Sequence, residues 1–476
     1  MTKTEKRWLS VYFICCSAFL SFFSLARHAW FQSNAWDLGI FDQAIYLISQ
    51  GQEPISTFLD FHILGDHAAF VLYPIGLIYR AFPSAYLILI LQSVAITSCI
   101  YPLYDFAHSM RLSEKGKKTT ISFFLLFPII FNLAIFDFHP EALALPILAS
   151  LACELEQKII NPKRIFLLAI LSLTCKITIS IFIAGFGVRE LLKRRNLVGG
   201  ILLTLGVAWF LLASKLIIPF YGGSSASLAR HANKFGLSND SIFQYNSIFE
   251  NISTLFMQAW NISNLEYLLL LSIPAFFLLL ATNLKQTAIR LIPFYPLLAI
   301  NLISTSLSMK SLVFQYSVFL VPLLAIETTY FLQENGNRMS FISKANAHRI
   351  VIITSLVSFL ALSRITFFFN QYHSNWEAMN ELNQAIAMVD KKSSVLTSST
   401  IAPHLSQRKN IRVADSINSL DVNKYDEILL DTAHPGWKSS PEIVSSIYSR
   451  LNKSDNWEMA YQKKSVFLWK RSRLDG

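Results

Sequence analysis

Charged residues are scarce in this chain. Asp and Glu together number 30 among 476 residues, and all charged types make only 15%. Soluble domains average roughly 25%, so the scarcity argues against a soluble globular protein of this length. Cysteine is scarcer still. Cys15, Cys16, Cys99, Cys153 and Cys175 all fall in apolar segments. None has the spacing of a metal site or of an extracellular disulfide framework, and they read as small buried hydrophobes. No low-complexity segment is visible, nor an internal repeat of the kind built into many transporters. No small-residue cleavage site follows the first apolar run, so that run is expected to stay in the protein as a true span.

What the chain has instead is apolar length. Hydrophobic types make 53% of the sequence, and phenylalanine alone contributes 38 residues. Apolar runs recur through its first three quarters, many near the roughly 20 residues that cross a bilayer. The run at 8–26 follows Lys3, Lys6 and Arg7, which predicts a cytoplasmic N-terminus. Further runs fall at 84–107, 118–135, 139–157, 163–176, 177–193, 197–219, 262–281, 287–306, 311–331 and 348–369. The segment 68–82 is also apolar, but short and interrupted by Pro74. If it does not cross, the basic loops 111–118, 158–164, 193–195, 285–290 and 338–349 all lie inside. If it crosses, they all flip outside. It is therefore read as re-entrant or interfacial, which predicts about eleven spans with the C-terminus outside. The net charge of +11 belongs to this loop pattern, and no nucleic-acid partner is expected.

The predicted fold class is thus a mainly α polytopic membrane protein with a small α/β soluble C-terminal domain. The membrane module covers 1–369, with outer loops at 27–83 and 219–261, and the soluble part covers 370–476. In that tail Trp376, Met379, Leu382, Asn383, Ile386 and Val389 mark a helix with one mainly apolar face. Residues 394–399 and 427–431 read as buried strands, and 457–461 with 465–470 as a hairpin around Lys463 and Lys464. Asn251, Asn261 and Asn452 open glycosylation triplets, a match common by chance and discounted here.

The stretch Trp36-Asp37-Leu38-Gly39-Ile40-Phe41-Asp42-Gln43 follows the first span. Asp37 is placed to cap a helix. Beyond it Leu38, Ile40, Phe41, Ala44, Ile45, Leu47 and Ile48 fill one half of a helical projection, and Asp42, Gln43, Tyr46 and Ser49 the other. That pattern predicts a helix lying flat in the interface with its acidic face toward water. A carboxylate held there suits chemistry on a lipid-borne substrate, and Asp37 or Asp42 is the expected general base or cation ligand. In the turn 137–141, Pro140 fits the first turn of a helix and Glu141 its positive end. Asp137, His139 and Glu141 are also good ligands for Mg or Mn. His62 and His67 bracket Gly65-Asp66, a weak metal signal and as good a fit to a phosphate or sugar. Among cations near outer span ends, Lys176 and Arg364 sit deepest. With Arg27 they are the candidates to hold a lipid phosphate, against the ordinary alternative of snorkelling to headgroups. Lys215, Arg230 and Lys310 are further cations of this kind.

These motifs carry a resemblance. Residues 37–43, Gly65-Asp66-His67 with Pro74 and Tyr79, Phe138-His139-Pro140-Glu141, and Gln315-Tyr316 before Pro322 resemble a family of bacterial multi-span proteins known as a domain of unknown function. That family is distantly similar to the GT-C glycosyltransferases. The resemblance runs from about Asp37 to the end of the chain. It implies a GT-C-like helix arrangement, a catalytic Asp in the first outer loop, and acidic residues in the second. It adds Gln315 and Tyr316 to the substrate-binding candidates. It also implies transfer of a sugar from a polyprenyl-phosphate donor to an acceptor on the outer face of the bacterial plasma membrane. In one place the chain departs from the family pattern. Relatives often carry Lys-Glu-Asp where this chain has Lys176-Ile177-Thr178, which puts activity in question. The alternatives are a lipid-linked glycan transporter or flippase, or a non-catalytic scaffold retaining the fold.

Overall fold

The computed structural model describes residues 2–223, 235, 253–280, 283–334, 344–416 and 421–472. Most of the expected loop 219–261, including Arg230 and Asn251, lies outside the described residues, as does the first half of loop 338–349.

The first helix, Lys3–Ala29, starts on a capping box in which Thr2 and Glu5 satisfy each other's backbone N–H groups. It packs against the helix Ala85–Ser98 and against Pro128–Ile135. Helix is found in every apolar run named above. Five helices among the described residues are long and apolar enough to cross a membrane, or up to seven if each of two bent pairs counts as one span. That is fewer than the expected eleven. Pro140–Leu155, Pro162–Leu173 and Ile179–Leu192 have only 16, 12 and 14 residues, short of the roughly 20 that span hydrocarbon. The bent pairs break at Pro128, by 51°, and at Ile292–Pro293, by 45°. Proline lacks the N–H that would continue the ladder.

The segment 68–82 holds a helix of eight residues, Leu72–Tyr79. At roughly 12 Å it is too short to cross. Its backbone entry is tied to the turn at Lys176, with Val71 N–H donating to Thr174 O at 3.1 Å and Ile177 N–H to His67 O at 3.0 Å. Gly76 lets it lie directly on the loop helix Ile40–Ser49, since a Cβ there would come within 2.4 Å of Ile48.

The chain ends in a five-stranded mixed sheet. A short hairpin, β1 (Ile55–Ser56) and β2 (Phe61–His62), precedes it in the first loop. The sheet strands are β3 (Val395–Thr397), β4 (Ile411–Val413), β5 (Glu427–Asp431), β6 (Trp457–Lys463) and β7 (Val466–Arg471), in the order β4-β3-β5-β7-β6. β3 is parallel to both β4 and β5, and β7 is antiparallel to β5 and β6. Period-two alternation divides its faces. Leu396, Ile428, Leu430 and Trp469 pack on the helix Pro441–Leu451. Val395, Leu429, Val466 and Leu468 share a core with Ala378, Leu382 and Ala385 and with Leu38, Ile40, Phe41 and Ile45 of the first loop. The helix Ile365–Met388 runs unbroken through position 369, where the sequence places the division between module and tail.

This packing corrects the flat-helix expectation. Both halves of Ile40–Ser49 are covered, and Asp42 and Gln43 are fully buried. Asp42 accepts hydrogen bonds from Tyr79 Oη and Ser406 Oγ, each at 2.6 Å. Gln43 Oε1 accepts from Ser56 Oγ and from Thr57 N–H. The polar face is amphipathic because it meets protein polar groups, not water. Periodicity cannot separate those two partners.

Candidate active site

The site is assembled where the first helix ends. Arg27, in its last turn, is buried with its guanidinium over the rings of Phe136 and Phe368, 4.9 Å from each centroid. It donates to Asp137 Oδ1 at 2.5 Å. Asn34 N–H donates to Asp137 Oδ2 at 2.9 Å. Asp137 occupies the turn between Pro128–Ile135 and Pro140–Leu155 with φ +40°, a backbone state that Asp tolerates better than most residues. Gln92 clamps this turn. Its amide donates to Asp137 O at 2.6 Å and Leu133 O at 3.1 Å, and its oxygen accepts from His139 N–H at 2.8 Å.

Asp37 faces this turn. Asn34, not Asp37, provides the cap: its side chain accepts from Trp36 N–H at 2.8 Å and starts a π-turn, Ala35–Gly39. Asp37 lies within that turn, with Oδ1 3.7 Å from His139 Nε2. The His139 ring is 3% exposed at its side chain, stacks on Phe136, and has no hydrogen-bond partner for either nitrogen among the described residues. Desolvation, the largest influence, pushes the Asp37 carboxyl up to about 6. The Asp137 carboxylate pushes the same way, while His139, Arg27 and Lys176 oppose. Next along the helix, Glu141 Oε1 pairs with Lys176 Nζ at 2.6 Å. Glu141 Oε2 is buried without a partner among the described residues.

Around this centre the expected residues divide. Tyr316 and Asp66 lie near enough to Lys176 to interact electrostatically, and His67 near enough to Glu141. His67 Nε2 is 3.3 Å from Asp66 Oδ2. Gln315 opens the short turn Gln315–Ser317, its Oε1 buried and unpartnered among the described residues. Asp42 is held apart by Tyr79 and Ser406, so its position is structural. His62 accepts from Leu64 N–H and stacks on Tyr221. Arg364 is exposed and opens on a neighbouring cavity.

The expected Mg or Mn ligands are not gathered. Asp137 is committed to Arg27 and Asn34 N–H, and one oxygen of Glu141 to Lys176. No group of three His, Cys, Asp or Glu residues able to hold a metal ion is found among the described residues. Asp137 and Glu141 each pair with a protein cation, an arrangement that sequence spacing leaves open.

Two contributors are not visible as a motif. Gln92 could have been found as a lone amide inside an apolar run, a placement that is usually functional. The other comes from the tail. Lys438 Nζ sits 3.8 Å from the centroid of Trp36, beside Asp37, and Trp437 meets Trp36 edge-on at 6.5 Å. No sequence pattern joins positions 36 and 437.

The model of a family described as "Predicted membrane protein (DUF2079)" matches residues 27–468. Among solved structures, ArnT from Cupriavidus metallidurans bound to undecaprenyl phosphate aligns with a TM-score of 0.57 at 10% identity, covering 98% of each chain. The same protein in the apo state aligns with a TM-score of 0.53, again at 10% identity and 98% coverage of both chains. At that identity the likeness is one of fold. No curated protein matches the chain.

Proposed function

The chain belongs to the DUF2079 family of predicted membrane proteins, and from that premise we propose that it is a glycosyltransferase moving a sugar from a polyprenyl-phosphate donor to an acceptor at the outer face of the membrane. The observation that carries this reading is the Asp37–His139 pair. A carboxylate with a raised affinity for protons lies 3.7 Å from an imidazole with two open nitrogens. The pair lies at a helix-layer end on a fold like that of ArnT, whose structure holds undecaprenyl phosphate.

The chemistry runs as an inverting displacement. An acceptor hydroxyl attacks the anomeric carbon, the bond from that carbon to the lipid phosphate oxygen breaks, and the hydroxyl proton passes to Asp37. The phosphate departs with the bonding pair. A base whose proton affinity lies near the working pH serves this transfer best. His139 offers a hydrogen-bonding nitrogen beside the same proton. Arg27, by holding Asp137, keeps the turn that carries His139, and Lys176 does the same for Glu141. These are positioning residues. The donor set does not fit Mg or Mn, so no step is routed through a metal. Basic loops along one side support an orientation with the N-terminus inside and the first loop and C-terminal sheet outside.

The test is transfer by the purified full chain, supplied with a polyprenyl-phosphate sugar. Asp37→Asn keeps shape but cannot take a proton, so transfer should fall by about 10²–10⁴-fold with melting behaviour unchanged. Wild-type transfer by Asp37→Asn would overturn the assignment of the base. A wild-type chain that consumes no such donor would overturn the reading as a whole.

A further inference from the structure

The cations at the Asp37 centre are already spoken for. Arg27 is paired with Asp137 and Lys176 with Glu141. Uncompensated positive charge lies instead in an adjacent cavity of about 420 Å³, within the roughly 300–1,000 Å³ range of small-molecule sites. Its walls come from three places: the helix Ile262–Ser272, the segment 307–313, and the junction at 361–367 between Lys344–Leu362 and Ile365–Met388. It neighbours the Arg27 site through Phe314 and Phe368, whose sequence neighbours Val313 and Phe367 line it.

Two cations, Lys310 and Arg364, line this cavity against one carboxylate, the exposed Glu266. Neither cation has a carboxylate within ion-pair distance among the described residues. Ser363 Oγ, on a residue 7% exposed, has no hydrogen-bond partner there either. The walls are held in place. Asn132, buried in Pro128–Ile135, accepts from Arg364 N–H at 2.8 Å and donates to Leu312 O at 3.0 Å and Leu362 O at 3.2 Å. One amide thus pins the wall that carries Arg364 to the segment that carries Lys310. The lining also includes apolar side chains that stay exposed, Leu307 at 71% and Phe367 at 47%. In a membrane protein such side chains meet hydrocarbon. A polar, net positive chamber with an apolar rim fits an amphiphile with an anionic head.

We propose that this cavity binds the phosphate group of a membrane lipid through Lys310, Arg364 and the Ser363 hydroxyl. If that lipid is the polyprenyl donor, the site deepens the glycosyltransferase reading and rests on it. A phospholipid headgroup presents the same phosphate chemistry without that reading. Guanidinium and ammonium hydrogen bonds to phosphate are among the strong ones.

The experiment is binding of defined probes to the full chain in uncharged detergent micelles, followed by titration calorimetry. The probes are farnesyl phosphate, farnesol and a short-chain phosphatidylglycerol. Farnesyl phosphate should bind at least about tenfold more tightly than farnesol, and added salt should shrink the difference. Lys310→Ala and Arg364→Ala should each weaken farnesyl phosphate about tenfold or more and leave farnesol unchanged. Lys310→Gln serves if the alanine variant fails to fold, and Lys310→Arg should restore affinity. Competition by phosphatidylglycerol with the same variant dependence would identify the occupant as a phospholipid head and still support the site. Phosphate binding indifferent to both cations would overturn it. No turnover is needed, so loss of this site and failure of the transferase reading are separate results.

Discussion

At the scale of single residues, two carboxylates of the first loop, Asp42 and Asp37, sit in different surroundings. Asp42 is fully buried, with Tyr79 and Ser406 donating to its two oxygens. Asp42→Ala should therefore cost about 1–3 kcal/mol for the stranded donors, read as a lowered melting temperature of the purified chain. Desolvation also pushes its carboxyl from 3.8 up to about 6. A folded-state pKa above the unfolded one means that protonation favours the fold. That contribution is complete below about pH 3.8 and is lost as pH rises through about 6. The melting temperature of wild type relative to Asp42→Asn, whose side chain does not titrate, should fall across that window and level off above it. A rise of wild type relative to Asp42→Asn across it would contradict the buried geometry. Desolvation pushes the Asp37 carboxyl up to about 6 as well, and in the proposed mechanism that shift acts on rate. A general base must be ionised, so kcat/KM should climb as pH rises through about 6 and then flatten. The sequence singles out both carboxylates. It does not tell a base from a buried acceptor, because that depends on Tyr79 and Ser406, which lie 37 and 364 positions from Asp42.

At the scale of elements, the loop helix Ile40–Ser49 is held between the sheet and the short helix Leu72–Tyr79. Ile45 is completely buried there. Ile45→Asp would place an unpaired charge in that layer and should cost about 3 kcal/mol or more, seen as lost expression or a collapsed melt. A helix resting on lipid would lose membrane contact but keep its fold, so the melting curve separates the two pictures. The turn at 136–139 gives a second test. Gln92→Leu keeps the helix Ala85–Ser98 but leaves Asp137 O and His139 N–H without partners. It should cost about 1–3 kcal/mol and depress transfer, because His139 loses its position opposite Asp37. Transfer at the wild-type rate by a folded Gln92→Leu chain would show that the clamp has no part in the chemistry. Helices and most of their limits are legible from apolar periodicity, as are the buried strands 427–431 and 395–397. The bends at Pro128 and Pro293 follow from proline, whose missing N–H interrupts the helical ladder, but their angles of 51° and 45° are not recorded in hydropathy.

At the scale of the whole molecule, ionic groups gather in separate clusters, two of which include residues from opposite ends of the first helix. Near its start, Glu5 and Glu114 pair with Lys117. A second cluster pairs Glu156 and Glu190 with Arg189, Lys193 and Arg195. At the other end lie Arg27, Asp137, Asp37, His139, Glu141 and Lys176. The basic end carries the loops that the positive-inside rule assigns to the cytoplasm. A reporter fused after Gly476 should accordingly be active only if it works after export. Activity of a reporter that works only in the cytoplasm would reverse the orientation and move the Asp37 centre inside.

The sequence by itself determined the solvent. Apolar runs with few charges have to be matched to hydrocarbon, and short basic loops set a side, so the membrane class and the polar ends of the spans can be read residue by residue. It also marked Asp37, Asp137, His139, Glu141 and Lys176, because each is a charged or imidazole side chain standing at the end of such a run. Their partners were decided only by tertiary structure. Arg27 meets Asp137 across 110 positions, Lys176 meets Glu141 across 35, and Lys438 reaches Trp36 from the far end of the chain. A buried carboxylate is neutralised by whichever cation the fold brings within reach, metal or guanidinium. That choice rests on distances of a few ångströms between segments, and no local pattern in the chain records them.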